Sequence, residues 1–128
     1  MKEFKKHIKY LYIPLMILVL FSCKKEEVVT NTIRYEIECH YLSSVLIQWT
    51  GHDGGLNGNN IKDSGWMKDT SGTFSHSFET TQDLDIYFSG QYTGSSPEET
   101  KIKLFVNDSL MQTATATSGL KAEINFDL

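Results

Sequence analysis

A chain of 128 residues with a net charge of −4 has room for one modest hydrophobic core, and its 12 basic residues form no patch of the kind a phosphate backbone needs. Nucleic acid is therefore excluded as a partner. With two cysteines in the whole chain, a disulfide framework is excluded as well.

The chain begins with Lys2, Lys5, Lys6 and Lys9 against a single acid, Glu3, and continues as an apolar run over residues 10–21. A positive stretch followed by a short apolar one is the layout of a secretory signal. The run carries Pro14 and ends at Lys24-Lys25-Glu26-Glu27, well short of the roughly 20 apolar residues a spanning helix needs. The alternative is an uncleaved membrane helix. Leu20-Phe21-Ser22-Cys23 resembles a bacterial lipoprotein signal, in which a leucine stands three residues before the cysteine, a small residue just before it, and the thiol is acylated before cleavage. The resemblance implies that residues 1–22 are a signal peptide with a helical core and that Cys23 carries the lipid. Proteins of this type carry three acyl chains, and each buried methylene contributes about 0.8 kcal/mol, so the anchor holds permanently where a single chain would not. Lys24-Lys25-Glu26-Glu27 in turn resembles the lysine-plus-acids signal by which a large group of Gram-negative bacteria sends lipoproteins to the outer face of the outer membrane. The cell surface is preferred over the periplasmic face on that basis.

Four of the 12 basic and one of the 16 acidic residues precede Cys23, leaving 8 against 15 and a mature net charge of −7. Residues 23–31 read as the lipidated cysteine and its tether, and residues 32–128 as one domain. With Cys23 acylated, Cys39 has no intramolecular partner and is expected to fill an apolar strand position as a small hydrophobe.

Within the domain the hydrophobic period is 2. Ile33, Tyr35, Ile37, Cys39 and Tyr41 share one face of a first strand, with Arg34, Glu36, Glu38 and His40 on the other, and Val45, Ile47 and Trp49 repeat the pattern in a second. Residues 51–65 hold five glycines among Asp53, Asn57, Asn59, Asn60 and Asp63 with no apolar period, and read as a long loop with a short strand near Ile61. Trp66 and Met67 precede a turn at Asp69-Thr70-Ser71-Gly72. Strands follow on Phe74, His76 and Phe78, on Leu84, Ile86 and Phe88, and on Ile102, Leu104 and Val106. Asn107-Asp108 tolerate the left-handed backbone of a two-residue hairpin turn. Thr113 to Thr117 alternates with alanine, Ser118-Gly119 turns the chain, and Leu120, Ala122, Ile124, Phe126 and Leu128 line one side of the last strand. Seven or eight short strands with regular turn signals predict an antiparallel β-sandwich, immunoglobulin-like in architecture but without the Cys-Trp-Cys signature.

Ser77-Phe78, Ile86-Tyr87-Phe88-Ser89-Gly90-Gln91, Ile102-Lys103-Leu104-Phe105-Val106-Asn107-Asp108 and Ser118-Gly119, following a glycine-rich loop, resemble the small β-sandwich lipoproteins related to the MmpS accessory proteins of lipid-exporting transporters. Thr73-Phe74 stands where those proteins carry a Pro-Trp pair, and Asp108 where they often carry glycine. The resemblance implies the sandwich fold and, as one possible task, that of an accessory subunit of an envelope transporter.

Chemistry is sparse. His7, His40, His52 and His76 stand in no metal-ligand spacing, and His52-Asp53 has no paired nucleophile, so neither enzymatic activity nor a cofactor is expected. His76 shares the phase of Phe74 and Phe78 and reads as an inward or rim residue. Asp53, Asn57, Asn59, Asn60 and Asp63 have the oxygen atoms of a calcium site but not the spacing of a known one, and an unliganded turn is favoured. Trp66, Tyr92 and Tyr87 fit either an aromatic platform for sugar rings or the edge of the core. The long loop beside Trp66 makes His52, Asp53, Asn57 and Trp66 the candidate ligand-binding residues. These features together predict a lipid-anchored cell-envelope protein acting by binding or structural support. Its expected partners are the membrane, through Cys23, and an envelope protein complex or a glycan.

Overall fold

A computed structural model describes residues 25–40 and 44–128; the signal segment with Cys23 and Lys24, and Tyr41, lie outside the described residues. The domain is built from nine strands: β1 (Asn31–Glu38), β2 (Val45–Thr50), β3 (Leu56–Asn60), β4 (Met67–Lys68), β5 (Phe74–Thr80), β6 (Asp85–Tyr92), β7 (Glu99–Val106), β8 (Ser109–Thr117) and β9 (Lys121–Asp127). They form two antiparallel sheets, a five-stranded one in the order β4-β5-β1-β7-β8 and a four-stranded one in the order β3-β2-β6-β9. If β1 is taken as the immunoglobulin B strand, β4-β5-β1 follow the order D-E-B and β2-β6-β9 the order C-F-G. The place of strand A beside B is taken by β7, so the chain reaches that edge after strand F instead of before strand B.

Period-2 alternation explains why these segments pair as they do. Ile33, Tyr35 and Ile37 on β1 are fully buried, and across the ladder they face Phe78, His76 and Phe74 on β5 and Val106, Leu104 and Ile102 on β7. From the other sheet Val45, Ile47, Trp49, Ile86, Phe88, Ala122 and Ile124 close the core. Burying one such side chain contributes about 1.5–3 kcal/mol. Tyr35 ties the two layers together, its ring 4.8 Å from that of Phe88 and its hydroxyl donating to the Thr50 carbonyl at 2.6 Å. Burial pushes its phenol well above the ordinary range, so the group remains a donor. Gly90, opposite Ile47 on β2, is glycine because space demands it: a Cβ there would lie 2.7 Å from Ile37 Cδ1 and 3.1 Å from Ile102 Cγ2.

The β7–β8 turn takes the expected form, with positive φ at Asn107 (50°) and Asp108 (64°). Its Asn107 side chain also accepts from Thr32 N at 2.9 Å and donates to Asn31 Oδ1 at 2.8 Å, which clamps the start of β1.

Three expectations are corrected. Among the described residues the strands number nine, against the seven or eight expected. Residues 51–65 are a loop only in part: the chain reverses within residues 51–55, returns along β2 as β3, a strand that ends beside Ile61 but is longer than the short one expected there, and closes with a 3₁₀ turn at Ile61–Asp63. A strand on an edge needs only its backbone ladder, so β3 forms without any apolar alternation. Leu120 is 66% exposed, because it belongs to the turn after Gly119 (φ 75°), where its N–H donates to the Thr117 carbonyl, and not to β9.

Candidate functional site

The residues singled out from the sequence separate into two places. His52 and Asp53 lie exposed on the tight turn, where Gly51 N donates to the Gly55 carbonyl at 2.8 Å and Asp53 Oδ1 accepts from Gly55 N at 3.0 Å. Asn57 stands beside them, donating to the Gly55 carbonyl at 3.3 Å. Gly54 takes a φ of 78°, which a residue with a side chain rarely adopts. The short side chains here are used to shape the turn. Asn59 and Asn60 act likewise one strand later: Asn60 Oδ1 caps the 3₁₀ turn by accepting from Lys62 N at 3.0 Å, and Asn59 Nδ2 donates to the Asp63 carbonyl at 3.1 Å. Among the described residues no group of three His, Cys, Asp or Glu side chains is placed to hold a metal ion.

Trp66 lies apart from the turn, in the core. It is 6% exposed, stacked at 5.6 Å on His76 and at 6.1 Å on Tyr35, with the edge of Trp49 at 5.2 Å. Its indole N–H is buried with no hydrogen-bond partner among the described residues. His76 sits half-buried on the rim of this aromatic cluster, and burial holds its imidazole below the usual pKa. Tyr92 is also buried, whereas Tyr87 points out of the other face of β6 and donates to Glu123 Oε1 at 2.9 Å. The three aromatic residues do not share a surface.

The outer face of the four-stranded sheet carries the more coherent site. Its ladder aligns Asn60, Leu46, Gln91 and Lys121 in one row and Gly58, Gln48, Ser89 and Glu123 in the next. Small residues at Gly58 and Ser89 leave an open trough of 680 Å³ between the larger ones. Gln91 is held by donating from Nε2 to the Gly119 carbonyl at 2.8 Å, and its amide oxygen accepts no hydrogen bond from the described residues. The side chain of Gln48, beside Gly58 in the middle of the trough, makes no hydrogen bond among the described residues, while its backbone lies in the ladder between β3 and β6. At one end Lys121 Nζ lies 3.4 Å from Glu123 Oε1. The Tyr87 hydroxyl, and after it the Lys121 ammonium, hold the Glu123 carboxyl below the usual range. The trough thus offers amide donors and acceptors on a rigid ladder, an apolar wall at Leu46, and charges already paired.

A second depression of similar size, at the end of the five-stranded sheet, is lined by Glu38, Cys39, Lys68, Thr73, Glu99 and Lys101. It is assembled from loops and strand ends. Cys39 there is half-buried, with Thr100 Oγ1 at 4.0 Å from its sulfur.

The trough residues were present in the sequence as the polar phase of β2 and β6. What the alternation does not contain is that β2 lies between β3 and β6, which is what gathers Gln48, Gly58, Ser89 and Gln91. Compared with known proteins, the chain matches no family model and no curated sequence.

Proposed function

We propose that the chain is a lipid-anchored cell-envelope protein that acts by binding, and that its ligand is an uncharged saccharide held in the trough on the outer face of the four-stranded sheet. The observation that carries the binding reading is the chemistry of that trough. Amides both donate and accept, and Gln48 and Gln91 present such groups beside a leucine wall, over a floor of Gly58 and the buried Ser89, with the local charges neutralised as Lys121–Glu123. A sugar ring, with hydroxyls on its rim and an apolar face, matches that combination. A formally charged ligand does not, since it would have to displace an existing ion pair. The anchor rests on Leu20-Phe21-Ser22-Cys23 following the basic and apolar segments. Attachment at the membrane then places the trough at the cell boundary, where polysaccharides are met.

Calorimetric titration of the full chain in detergent with neutral glucans, mannans and xylans tests the binding reading. Binding of at least one, weakened ten-fold or more by Gln48→Ala, is the expected result. Absence of binding across the panel, or binding indifferent to Gln48→Ala and Gln91→Ala, overturns it. Intact mass of the protein from its native membrane tests the anchor separately: added acyl mass lost in Cys23→Ala supports it, and an unlipidated chain rejects it.

A further inference from the structure

Two sheets have four edge strands, and three of them are blunted in recognised ways. β4 is two residues long, β3 is five residues with Gly58 at its centre, and β9 alternates the charges of Lys121, Glu123 and Asp127. β8 is different. Its nine residues, Ser109–Thr117, contain no charge, proline or glycine, and among the described residues no strand pairs with its far side. Its one irregularity lies near the hairpin, where the ladder slips between Leu104 and Phe105. Thr113, Thr115 and Thr117 are exposed, opposite Lys103, Lys101 and Glu99 of β7. The open backbone groups of such a strand form a template for another strand.

The sequence of β8 says which one. Thr113-Ala114-Thr115-Ala116-Thr117 reads the same in both directions. An antiparallel pair formed with itself about Thr115 therefore matches threonine to threonine and alanine to alanine in every row. The symmetry is confined to that run, since the ladder slips between Gln112 and Leu110 and Leu120 lies in the turn beyond β8. Cross-strand threonine pairs are favourable.

We infer that the protein forms a homodimer by antiparallel pairing of β8 with β8 of a second copy, with a two-fold axis at Thr115, so that the two five-stranded sheets become one continuous sheet. The surface differs from the saccharide trough and does not depend on it. Opposed residues in such a pair have Cα atoms about 4.5–5.5 Å apart, within disulfide range. A residue two positions off the axis lies about 13 Å from its own copy, four residues along the strand.

Edge pairing of this length buries less than the roughly 1,200 Å² of a standard stable interface, so the test traps the dimer covalently. Full-length Thr115→Cys, Thr113→Cys and unmodified protein are oxidised mildly in the membrane and compared on non-reducing gels, the unmodified chain reporting the background from Cys39. Thr115→Cys is expected to give a dimer band at least five-fold stronger than either of the others. Thr113→Cys mixed with a differently tagged Thr117→Cys chain is expected to give a cross-linked heterodimer. Equal trapping by Thr115→Cys and Thr113→Cys, no trapping above background, or an adduct of Thr115→Cys with a different protein in place of the dimer each overturns the inference. All three positions are exposed strand threonines, so the fold is retained in every variant.

Discussion

The two faces of the four-stranded sheet are made by the same strands, offset by one residue, yet they do unrelated work. On the inner face Ile47, Phe88 and Ile124 are at most 2% exposed and pack against the opposite sheet. On the outer face Gln48, Gln91 and Lys121 line an open trough, Gln91 bonded to the Gly119 carbonyl and Lys121 paired with Glu123. Packing density makes the first face intolerant of change. The second is free to vary its chemistry at little thermodynamic cost, which is why a binding site can be placed there without weakening the domain.

The comparison is most strongly tested by Phe88→Ala, which empties the centre of the core and is expected to cost about 3–5 kcal/mol of the roughly 5–15 kcal/mol that a domain has. Urea unfolding followed by circular dichroism measures it; a loss below about 1 kcal/mol would mean the inner face is not the structural one. Gly90→Ala tests the same face by addition. The new methyl meets Ile37 and Ile102, both fully buried, so overpacking is expected to cost about 1–3 kcal/mol, a loss that Ile37→Val should partly relieve.

A smaller effect belongs to pH. His76 faces Trp49 from across the sandwich, with its ring centroid at 6.0 Å, and burial lowers its folded pKa. The unfolded chain therefore takes up the proton first, and stability that is complete above about pH 6.5 falls as the pH drops from there through the folded pKa. The carboxylates of Asp69 and Glu123, also lowered on folding, add their losses only below about pH 5. Thermal unfolding at pH 7.5 and 5.5 should show the decline, and His76→Phe should flatten it. The smallest effect is expected from Gln48→Ala, within about 0.5 kcal/mol of the parent. Its deficit should appear in saccharide titration alone, and a clear loss of stability would mean that the outer face also supports the fold.

How much of this was legible in the sequence depended on whether side chains or topology made the decision. Asn107-Asp108 announced a hairpin because few residue pairs tolerate two successive left-handed conformations, and both adopt them. Ile33, Tyr35 and Ile37 announced their inward face because burial selects side chains directly. β3 was legible only as a short strand near Ile61, for the opposite reason: its stability comes from ladder bonds to β2, to which Leu56-Asn57-Gly58-Asn59-Asn60 contribute no apolar signal. The glycines and amides read as a long free loop were the materials of a tight reversal and a capped turn. Trp66 could be placed beside that loop from the sequence but not assigned to the core, since a large aromatic side chain serves either role. The trough depended on which strands become neighbours, which alternation within a strand does not encode.

The clustering of aromatic rings has an optical consequence. The chain has two tryptophans, and Trp49 and Trp66 stand 5.2 Å apart in one corner of the sandwich. Intrinsic fluorescence excited at the indole band therefore reports on that corner alone, where β2, β5 and the segment after the 3₁₀ turn meet, while the far-ultraviolet signal averages over both sheets. If the two transitions coincide, the corner and the β7–β8 edge unfold as one cooperative unit. If the emission changes first, the corner opens before the rest, and the domain contains a local unfolding step that no probe of total strand content would detect.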